Sequence, residues 1–148
     1  MPQTTVINDR LSVAGQISKA DIAEIAKAGF GTIINNRPDN EEPGQLSAAE
    51  AEAEAKKQGL DYRYQPIVTG SITRAQVAEF QKLLLRSPTP VLAHCRSGTR
   101  CYLMWAASRV LFNDESALKL VAEAAIKGYD LRVLPSLIEK LEMEKAEK

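Results

Sequence analysis

The chain has 148 residues, 45% of them hydrophobic, which is enough for one domain with a sizeable apolar core. Its 19 basic and 19 acidic residues are interspersed and cancel, which argues against a nucleic-acid-binding or membrane-surface protein. No apolar run is long enough to span a membrane and the polar start lacks the zones of a signal peptide, so we expect a cytoplasmic protein. The two cysteines, Cys95 and Cys101, are typical of reactive chemistry rather than of a disulfide framework.

Predicted strands and helices alternate along the chain. Strands are predicted at 11–15, 32–36, 62–68 and 91–95. Three helices begin at capping pairs, which are Ser18 with Asp21, Ser47 with Glu50, and Thr73 with Gln76. They end near Gly29, Gly59 and Ser87, and the third is expected to bury Val77, Phe80, Leu84 and Leu85. Three more helices are predicted at 101–112, 115–127 and 135–147. Strands joined by helical crossovers predict an α/β fold, with a mostly parallel central sheet flanked by helices, in a single domain over 1–148.

The segment VLAHCRSGTR, residues 91–100, carries the strongest functional signal. Cys95 follows a buried strand at the sheet edge where ligands bind, and a turn leads from it into a helix beginning near Arg100. Such a turn directs unpaired backbone N–H groups inward, where they and the helix dipole bind an anion and lower the pKa of a thiol. Cys95 is therefore predicted to be a nucleophile, and Arg100 to bind two oxygens of an oxyanion. The substrate-binding residues between them are Arg96, Ser97, Gly98 and Thr99.

Two neighbours of this loop are predicted to support it. His94 alternates with Cys95 along the strand and should face the layer beneath. We expect it to orient the loop by hydrogen bonds rather than to transfer protons. Cys101 is either a small residue on the buried face of a helix or a second thiol that forms a reversible disulfide with Cys95.

The acidic loop, RPDNEEPG at residues 37–44, is a second candidate part of the site. Arg37 is expected either to contact substrate at the rim or to form a salt bridge with this loop. Asp39, Glu41 and Glu42 are expected to form and solvate a turn. If the loop folds over the pocket, one of these carboxyl groups could instead serve as a general acid.

Three segments together carry a family resemblance. They are AHCRSGTR at 93–100, VAGQISKADIAEIAKAGFGTIINNRPDNEE at 13–42, and YQPIVTGSIT at 64–73. Over residues 4–112 the chain resembles the bacterial beta-lactamase-hydrolase-like, phosphatase-like domain family. The resemblance implies a tyrosine-phosphatase-like fold, sometimes fused to a persulfide dioxygenase, with Cys95 as nucleophile and residues 95–100 as the cradle of an oxyanion. It leaves the reaction open between phosphatase and sulfurtransferase, and no motif predicts a metal or another cofactor.

Two features of the sequence favour sulfur transfer over phosphate ester hydrolysis. Four residues separate Cys95 from Arg100, one fewer than in tyrosine phosphatases, and the shorter loop resembles that of rhodaneses. Residues 69–71, where related phosphatases carry a general acid, have no carboxyl group, whereas thiosulfate expels sulfite without needing a proton. The first hypothesis is therefore sulfur transfer, from thiosulfate or a persulfide to a thiol such as glutathione or thioredoxin, through a Cys95 persulfide. The alternatives are a phosphatase of low efficiency and a non-catalytic oxyanion-binding module.

Overall fold

The computed structural model describes residues 1–146 of the chain, and its five strands form one sheet in the order β1, β2, β5, β3, β4. The strands are β1 Thr4–Val6, β2 Leu11–Ala14, β3 Thr32–Asn35, β4 Asp61–Tyr64 and β5 Val91–His94. All neighbours run parallel except β1, which pairs antiparallel with β2. The predicted α/β fold with a mostly parallel sheet is confirmed, and β1 is an additional edge strand that the sequence pattern does not indicate.

Helices flank the sheet on both faces, as predicted. They are α1 Lys19–Lys27, α2 Ala48–Lys57, α3 Arg74–Arg86, α4 Thr99–Asn113, α5 Ala117–Ile126 and α6 Leu134–Ala146. The α4 helix begins two residues before the predicted position, and α5 begins two residues after it, where the Ser116 hydroxyl accepts a hydrogen bond from the Lys119 N–H. Glu147, the predicted end of the last helix, lies outside the described residues.

The predicted capping pairs begin the first three helices. Ser18 with Asp21 and Thr73 with Gln76 form complete capping boxes, in which each side chain bonds the backbone N–H of the other residue. Ser47 accepts from the Glu50 N–H, but the Glu50 carboxylate accepts from the Ser47 hydroxyl instead of from its backbone. The strand predicted over 62–68 is shorter than expected, because Pro66 lacks the N–H that continued pairing requires.

The core has two layers, one on each face of the sheet. Buried side chains of β2, β3 and β5 alternate between the layers, so that Val13, Ile34 and Ala93 meet α3, α4 and α6, whereas Ile33 and Leu92 meet α1 and α2. Val77, Phe80 and Leu84 of α3 are buried as predicted. Leu85 is 60% exposed, so its predicted burial is wrong: it lies one residue beyond the buried stripe of the helix.

The carboxyl ends of three strands lie side by side at one edge of the sheet. His94 ends β5 and pairs with Ala14 of β2 on one side and with Asn35 of β3 on the other. The loops that follow these strands therefore meet, which is how parallel sheets build ligand sites. Within residues 1–146, no helix has both the length and the apolar character needed to cross a membrane.

Candidate active site

Cys95 lies at the centre of this edge, at the start of the oxyanion loop, which is the name used here for residues 95–100. Its backbone N–H donates to the Ala14 carbonyl at 3.3 Å, and its side chain is almost fully buried. Gly98 takes the left-handed conformation, with φ of 94°, and caps the N-terminus of α4. The turn brings the Gly98 N–H to 3.1 Å from the Cys95 Sγ, which accepts its hydrogen bond. The predicted strand, turn and helix thus aim backbone donors at the thiol.

The surroundings of Cys95 favour its thiolate. The Cys101 side chain donates a hydrogen bond to it, which is the largest effect, and backbone N–H groups of Cys101, Ser97 and Gly98 act in the same direction against the opposing effect of burial. Together they lower the pKa of Cys95 to about 5. Burial raises the pKa of Cys101 well above its usual value, so Cys101 remains a protonated donor. Both cysteines are free thiols, and Cys101 is buried on α4, so the helix-facing alternative describes its position.

Arg100 is the first arginine of α4, and a carboxylate binds its guanidinium group. Its Nη1 and Nη2 donate to Oε2 and Oε1 of Glu41 at 2.8 Å each, in the parallel two-bond geometry of an arginine holding a carboxylate or phosphate. Nη1 also donates to the Ile67 carbonyl at 3.0 Å. The hydrogen bond from Arg100 is the main reason that the pKa of Glu41 falls to about 2. Glu41 is therefore ionised here and is not a proton donor in this position.

Arg37 connects the acidic loop to the sheet edge. It is 1% exposed and paired with Glu41 and Glu42, which is the arrangement of the salt-bridge alternative. Its Nε donates to Glu41 at 2.9 Å, its Nη2 to Glu42 at 2.9 Å and its Nη1 to Gln16 at 3.0 Å. All three nitrogens of this buried guanidinium are bonded, and they join Glu41 and Glu42 of the acidic loop to Gln16 of the loop after β2. Arg37 thereby fixes where Glu41 lies.

The remaining polar residues of the two loops are more exposed. Arg96 is 70% exposed and its Nη2 lies 4.0 Å from a Glu42 oxygen, which places it at the rim as predicted. The Ser97 hydroxyl donates to that of Thr99 at 3.1 Å. Asp39 accepts from the Ala48 N–H at 2.9 Å and so caps α2, a structural role close to the predicted turn role.

His94 lies directly before the oxyanion loop. Its ring is buried and bonds no other side chain, and the adjacent Cys95 backbone acts on the ring to raise its pKa against the larger effect of burial. Its role in orienting the loop stays a prediction. Burial lowers the pKa of His94 to about 4, which keeps the ring neutral near pH 7. The main chain of His94 makes a further connection, since its carbonyl accepts from the Asn36 N–H at 2.9 Å. His94 thus links β5 to the start of the acidic loop through its main chain.

Gly15 and Tyr129, which the sequence did not single out, contact the oxyanion loop from outside. A Cβ on Gly15 would lie 2.9 Å from the Arg96 carbonyl, and a Cβ on Gly98 would lie 3.2 Å from the Tyr129 hydroxyl. Tyr129 also shares a 3.1 Å hydrogen bond with Thr5. A glycine directly after a strand is the one sequence signal that could have indicated Gly15. Tyr62, whose hydroxyl accepts from Asn35 at 3.0 Å, belongs to the core.

Two cavities open beside the loops and both include Gln16. The larger, about 490 Å³, is lined by Ser97, Thr5 and Tyr129, and the smaller, about 320 Å³, by Arg37 and Glu42. The 3₁₀ turn Thr69–Ser71 is exposed and carries no carboxyl group. Among residues 1–146, no three His, Cys, Asp or Glu side chains are arranged to hold a metal ion. The groups that surround Cys95 at this edge are the Cys101 thiol and the backbone N–H groups of the oxyanion loop, with Arg100 at the start of α4.

The family of the chain follows from a sequence match. The model of the family described as "Beta-lactamase hydrolase-like protein, phosphatase-like domain" matches residues 3–112. The chain belongs to that family. A beta-lactamase hydrolase-like protein of Agrobacterium fabrum is 39% identical over 125 residues, which are 84% of this chain and 29% of that protein. The chain thus corresponds to less than a third of its curated relative, in line with a domain that also occurs within longer proteins of the family.

Solved structures agree with this assignment and define the fold. A candidate phosphatase from Neisseria meningitidis superposes with a TM-score of 0.82 and 31% identity, over 92% of this chain and 96% of that one. Tk-PTP in its active form superposes with a TM-score of 0.71 and 20% identity, over 94% and 95% of the two chains. At that identity the second likeness bears on fold alone. The predicted tyrosine-phosphatase-like fold is confirmed, and the chain is a phosphatase-like domain.

Proposed function

We propose that this chain is a cysteine-dependent phosphatase that acts on phosphate monoesters. The observation that carries the proposal is the placement of the Cys95 thiolate inside a turn of N–H donors, with Arg100 at the start of the following helix. This order reverses the sequence-based hypothesis, in which sulfur transfer came first. The reason is that the family and the relative of 31% identity are named for phosphatases.

The reaction would proceed in two displacements at phosphorus. The Cys95 Sγ attacks the phosphorus, the bond to the ester oxygen breaks, and a phosphocysteine forms while the leaving group departs as an oxyanion. Water then attacks the phosphocysteine, which releases phosphate and restores the thiolate. Backbone N–H groups of the oxyanion loop and the Arg100 guanidinium would hold the non-bridging oxygens, where charge must be stabilised in both steps.

The leaving group limits the substrates that this site would use well. A departing alkoxide needs a proton, and neither the turn Thr69–Ser71 nor the ionised Glu41 supplies one. The anions of phenols and of acidic alcohols are weaker bases, so they leave the phosphorus without a proton. We therefore propose efficient use of aryl phosphates and slow use of alkyl phosphates.

Sulfur transfer remains the second candidate because of the loop itself. The four-residue spacing from Cys95 to Arg100 offers one backbone donor fewer than a tyrosine-phosphatase loop. Attack of the Cys95 thiolate on the outer sulfur of thiosulfate would expel sulfite and leave a Cys95 persulfide. The thiol of glutathione or thioredoxin would then attack the outer sulfur, take it over as a persulfide and restore the Cys95 thiolate. A functional link to a persulfide dioxygenase belongs to this second proposal.

One side-by-side experiment separates these functions. Turnover of an aryl phosphate is compared with that of thiosulfate plus glutathione, in the unmodified protein and in Cys95→Ser. Phosphate release that needs Cys95, at a rate well above sulfur transfer, supports the first proposal. The reverse ratio, with a mass gain of about 32 Da on Cys95 from one persulfide sulfur, supports the second. Oxyanion binding without either turnover would indicate the third candidate, a non-catalytic module.

A further inference from the structure

Arg37 and Arg100 bind the same carboxylate, that of Glu41. Its Oε1 accepts from Arg37 Nε at 2.9 Å and from Arg100 Nη2 at 2.8 Å, and its Oε2 accepts from Arg100 Nη1 at 2.8 Å. Arg37 is buried shortly after β3, whereas Arg100 lies in the first turn of α4. A buried arginine is thus joined, through one side chain, to the arginine expected to bind substrate.

Arg37 is held by bonds to other parts of the site. Its N–H donates to Asn35 Oδ1 at 2.8 Å, and its Nη1 and Nη2 donate to Gln16 and Glu42 at 3.0 and 2.9 Å. The Gln16 N–H in turn donates to the Arg96 carbonyl of the oxyanion loop at 3.3 Å. Because these bonds fix its conformation, Arg37 presents its Nε–H in one direction relative to that loop.

The contacts of Arg100 leave one edge of its guanidinium group for a ligand. The group has five N–H donors in one plane. Glu41 binds one donor on Nη1 and one on Nη2, and the Ile67 carbonyl binds the other donor on Nη1 at 3.0 Å. The Nε–H and the second Nη2–H lie side by side along the neighbouring edge, with the spacing that pairs with two oxygens of a phosphate or carboxylate. Glu41 thus fixes one edge and leaves the next edge for an oxyanion.

This guanidinium group is also close to the thiolate. The hydrogen bond to Glu41 is the largest cause of the raised pKa of Arg100, and the negative charge of Cys95 raises that pKa further. An oxyanion bound next to the Cys95 Sγ would therefore interact with the same positive charge.

We propose that Arg37 and Glu41 are positioning residues for Arg100. Glu41 holds the edge formed by Nη1 and Nη2, Arg37 holds Glu41, and neither residue touches the substrate. Together they keep the Nε edge of Arg100 directed at a phosphate group bound in the oxyanion loop. Because the guanidinium group is already oriented, less conformational freedom is lost when the oxyanion binds. The inference rests on the proposed function in that residues 95–100 bind an oxyanion.

Two substitutions in the acidic loop compare Glu41 with a neighbour of the same charge. Glu42 accepts from Arg37 Nη2 at 2.9 Å but makes no hydrogen bond to Arg100. Glu41→Ala and Glu42→Ala each remove one negative charge from the loop, and only Glu41→Ala removes a partner of Arg100. Arg37→Lys is a third variant, which keeps the buried charge although its single nitrogen cannot make the bonds of all three guanidinium nitrogens.

Protection of Cys95 by inorganic phosphate tests the proposal without turnover. Iodoacetamide alkylates the thiolate, and phosphate bound in the oxyanion loop blocks this reaction, so the phosphate concentration that halves the rate gives Kd. Each Kd is obtained within one variant, and a changed thiolate fraction therefore does not affect it. The Cys101 thiol is buried and protonated, and peptide mass analysis assigns the label to Cys95.

Glu41→Ala should bind phosphate about tenfold more weakly than Glu42→Ala, as expected if the two bonds of the Arg100 fork lose ~1.4 kcal/mol. Arg37→Lys should weaken phosphate binding by about tenfold for the same reason. In the Glu41→Ala protein the link to Arg100 is already broken, so adding Arg37→Lys should change Kd by less than about twofold. A general defect of folding would instead weaken binding by the same factor in both backgrounds.

Phosphate binding in Glu41→Ala that is equal to or tighter than in Glu42→Ala would overturn the proposal, and this comparison stands even if Arg37→Lys does not fold. The proposal also fails if Arg37→Lys has the same effect in both backgrounds, or if phosphate does not protect the unmodified protein. The expected pattern in a protein that hydrolyses no aryl phosphate would overturn the proposed function alone. Efficient hydrolysis with equal affinities in the two alanine variants would overturn this inference alone.

Discussion

Gly15 and Arg96 lie in direct backbone contact, since a Cβ on Gly15 would be 2.9 Å from the Arg96 carbonyl oxygen. The N–H of the next residue, Gln16, donates to the same oxygen at 3.3 Å. The loop after β2 thus supports the oxyanion loop from behind, and only a residue without a side chain allows this approach.

Gly15→Ala should therefore damage activity through the position of the oxyanion loop. The added methyl group must displace backbone, and a shift on the order of 1 Å at a reacting group lowers turnover by about 100-fold. Overpacking should cost about 1–3 kcal/mol of unfolding free energy, measured by urea denaturation. Gly70→Ala is the control, because open space surrounds that position, and it should change neither quantity appreciably. Normal aryl phosphate turnover in Gly15→Ala would contradict this account.

Much of the fold is predictable from local signals in the sequence. Capping pairs such as Ser18 with Asp21 placed three helix starts correctly, because a cap depends on residues three positions apart. Apolar runs located β2, β3 and β5, because a run of buried residues is also a local signal. Strand β1 was not predicted, because it is short, half-exposed and paired only at an edge, so its hydrophobic pattern is weak. Its pairing with β2 is a tertiary contact that local patterns do not encode.

The site shows the same division between local and distant contacts. The sequence placed Cys95 and Arg100 together because both belong to one turn. It left Arg37 open between two positions, because the choice depends on Gln16, 21 residues away. The pair of Arg100 with Glu41 joins residues 59 positions apart, so spacing could not predict it. The hydrogen bonds expected of the His94 ring stay a prediction, because alternation along a strand gives the direction of a side chain but not its partners.

Cys101 should control the reactivity of Cys95. Its thiol provides the largest contribution to the lowered pKa of Cys95, so Cys101→Ala should move the inflection of iodoacetamide labelling upward from about pH 5. Cys101→Ser keeps a donor and should stay near the unmodified protein. The labelling rate is followed between pH 4 and pH 9 with Cys95→Ser as the blank. An inflection near the free-thiol value of about 8.5 in the unmodified protein would show that the thiolate is not stabilised.

Arg100 and Arg96 should differ in the step that they affect. Arg100→Lys keeps the charge but loses the paired donors, so kcat with an aryl phosphate should fall by at least about tenfold, the cost of losing ~1.4 kcal/mol in the transition state. Arg96 is exposed at the rim, and Arg96→Ala should mainly raise KM by a few-fold through weaker attraction. Steady-state kinetics at two salt concentrations check this, because only the Arg96 effect should shrink at high salt. Equal losses of kcat in both variants would remove the distinction.

His94 should make the protein sensitive to moderate acid. Its pKa is about 4 when folded against 6.5 when exposed, so the unfolded chain takes up a proton first as the pH falls. The contribution of neutral His94 to the free energy of unfolding is fully present above pH 6.5 and is lost as the pH falls to 4. At 1.36 kcal/mol per pKa unit it amounts to about 3 kcal/mol. His94→Leu should flatten this part of the curve of unfolding free energy against pH. Parallel curves for the two proteins would show that His94 is not buried as a neutral ring.

The last prediction concerns the proton that the leaving group needs. The turn Thr69–Ser71 has no carboxyl group and Glu41 is ionised beside two arginines, so no described acid in this position protonates a departing alkoxide. Across a series of aryl phosphates, kcat/KM should therefore fall steeply as the leaving phenol becomes more basic. Glu41→Gln should change the absolute rates but leave that slope as it is, because losing the carboxylate partner of Arg100 affects every substrate in the series equally. A shallow slope in the unmodified protein that becomes steep in Glu41→Gln would instead make Glu41 the proton donor.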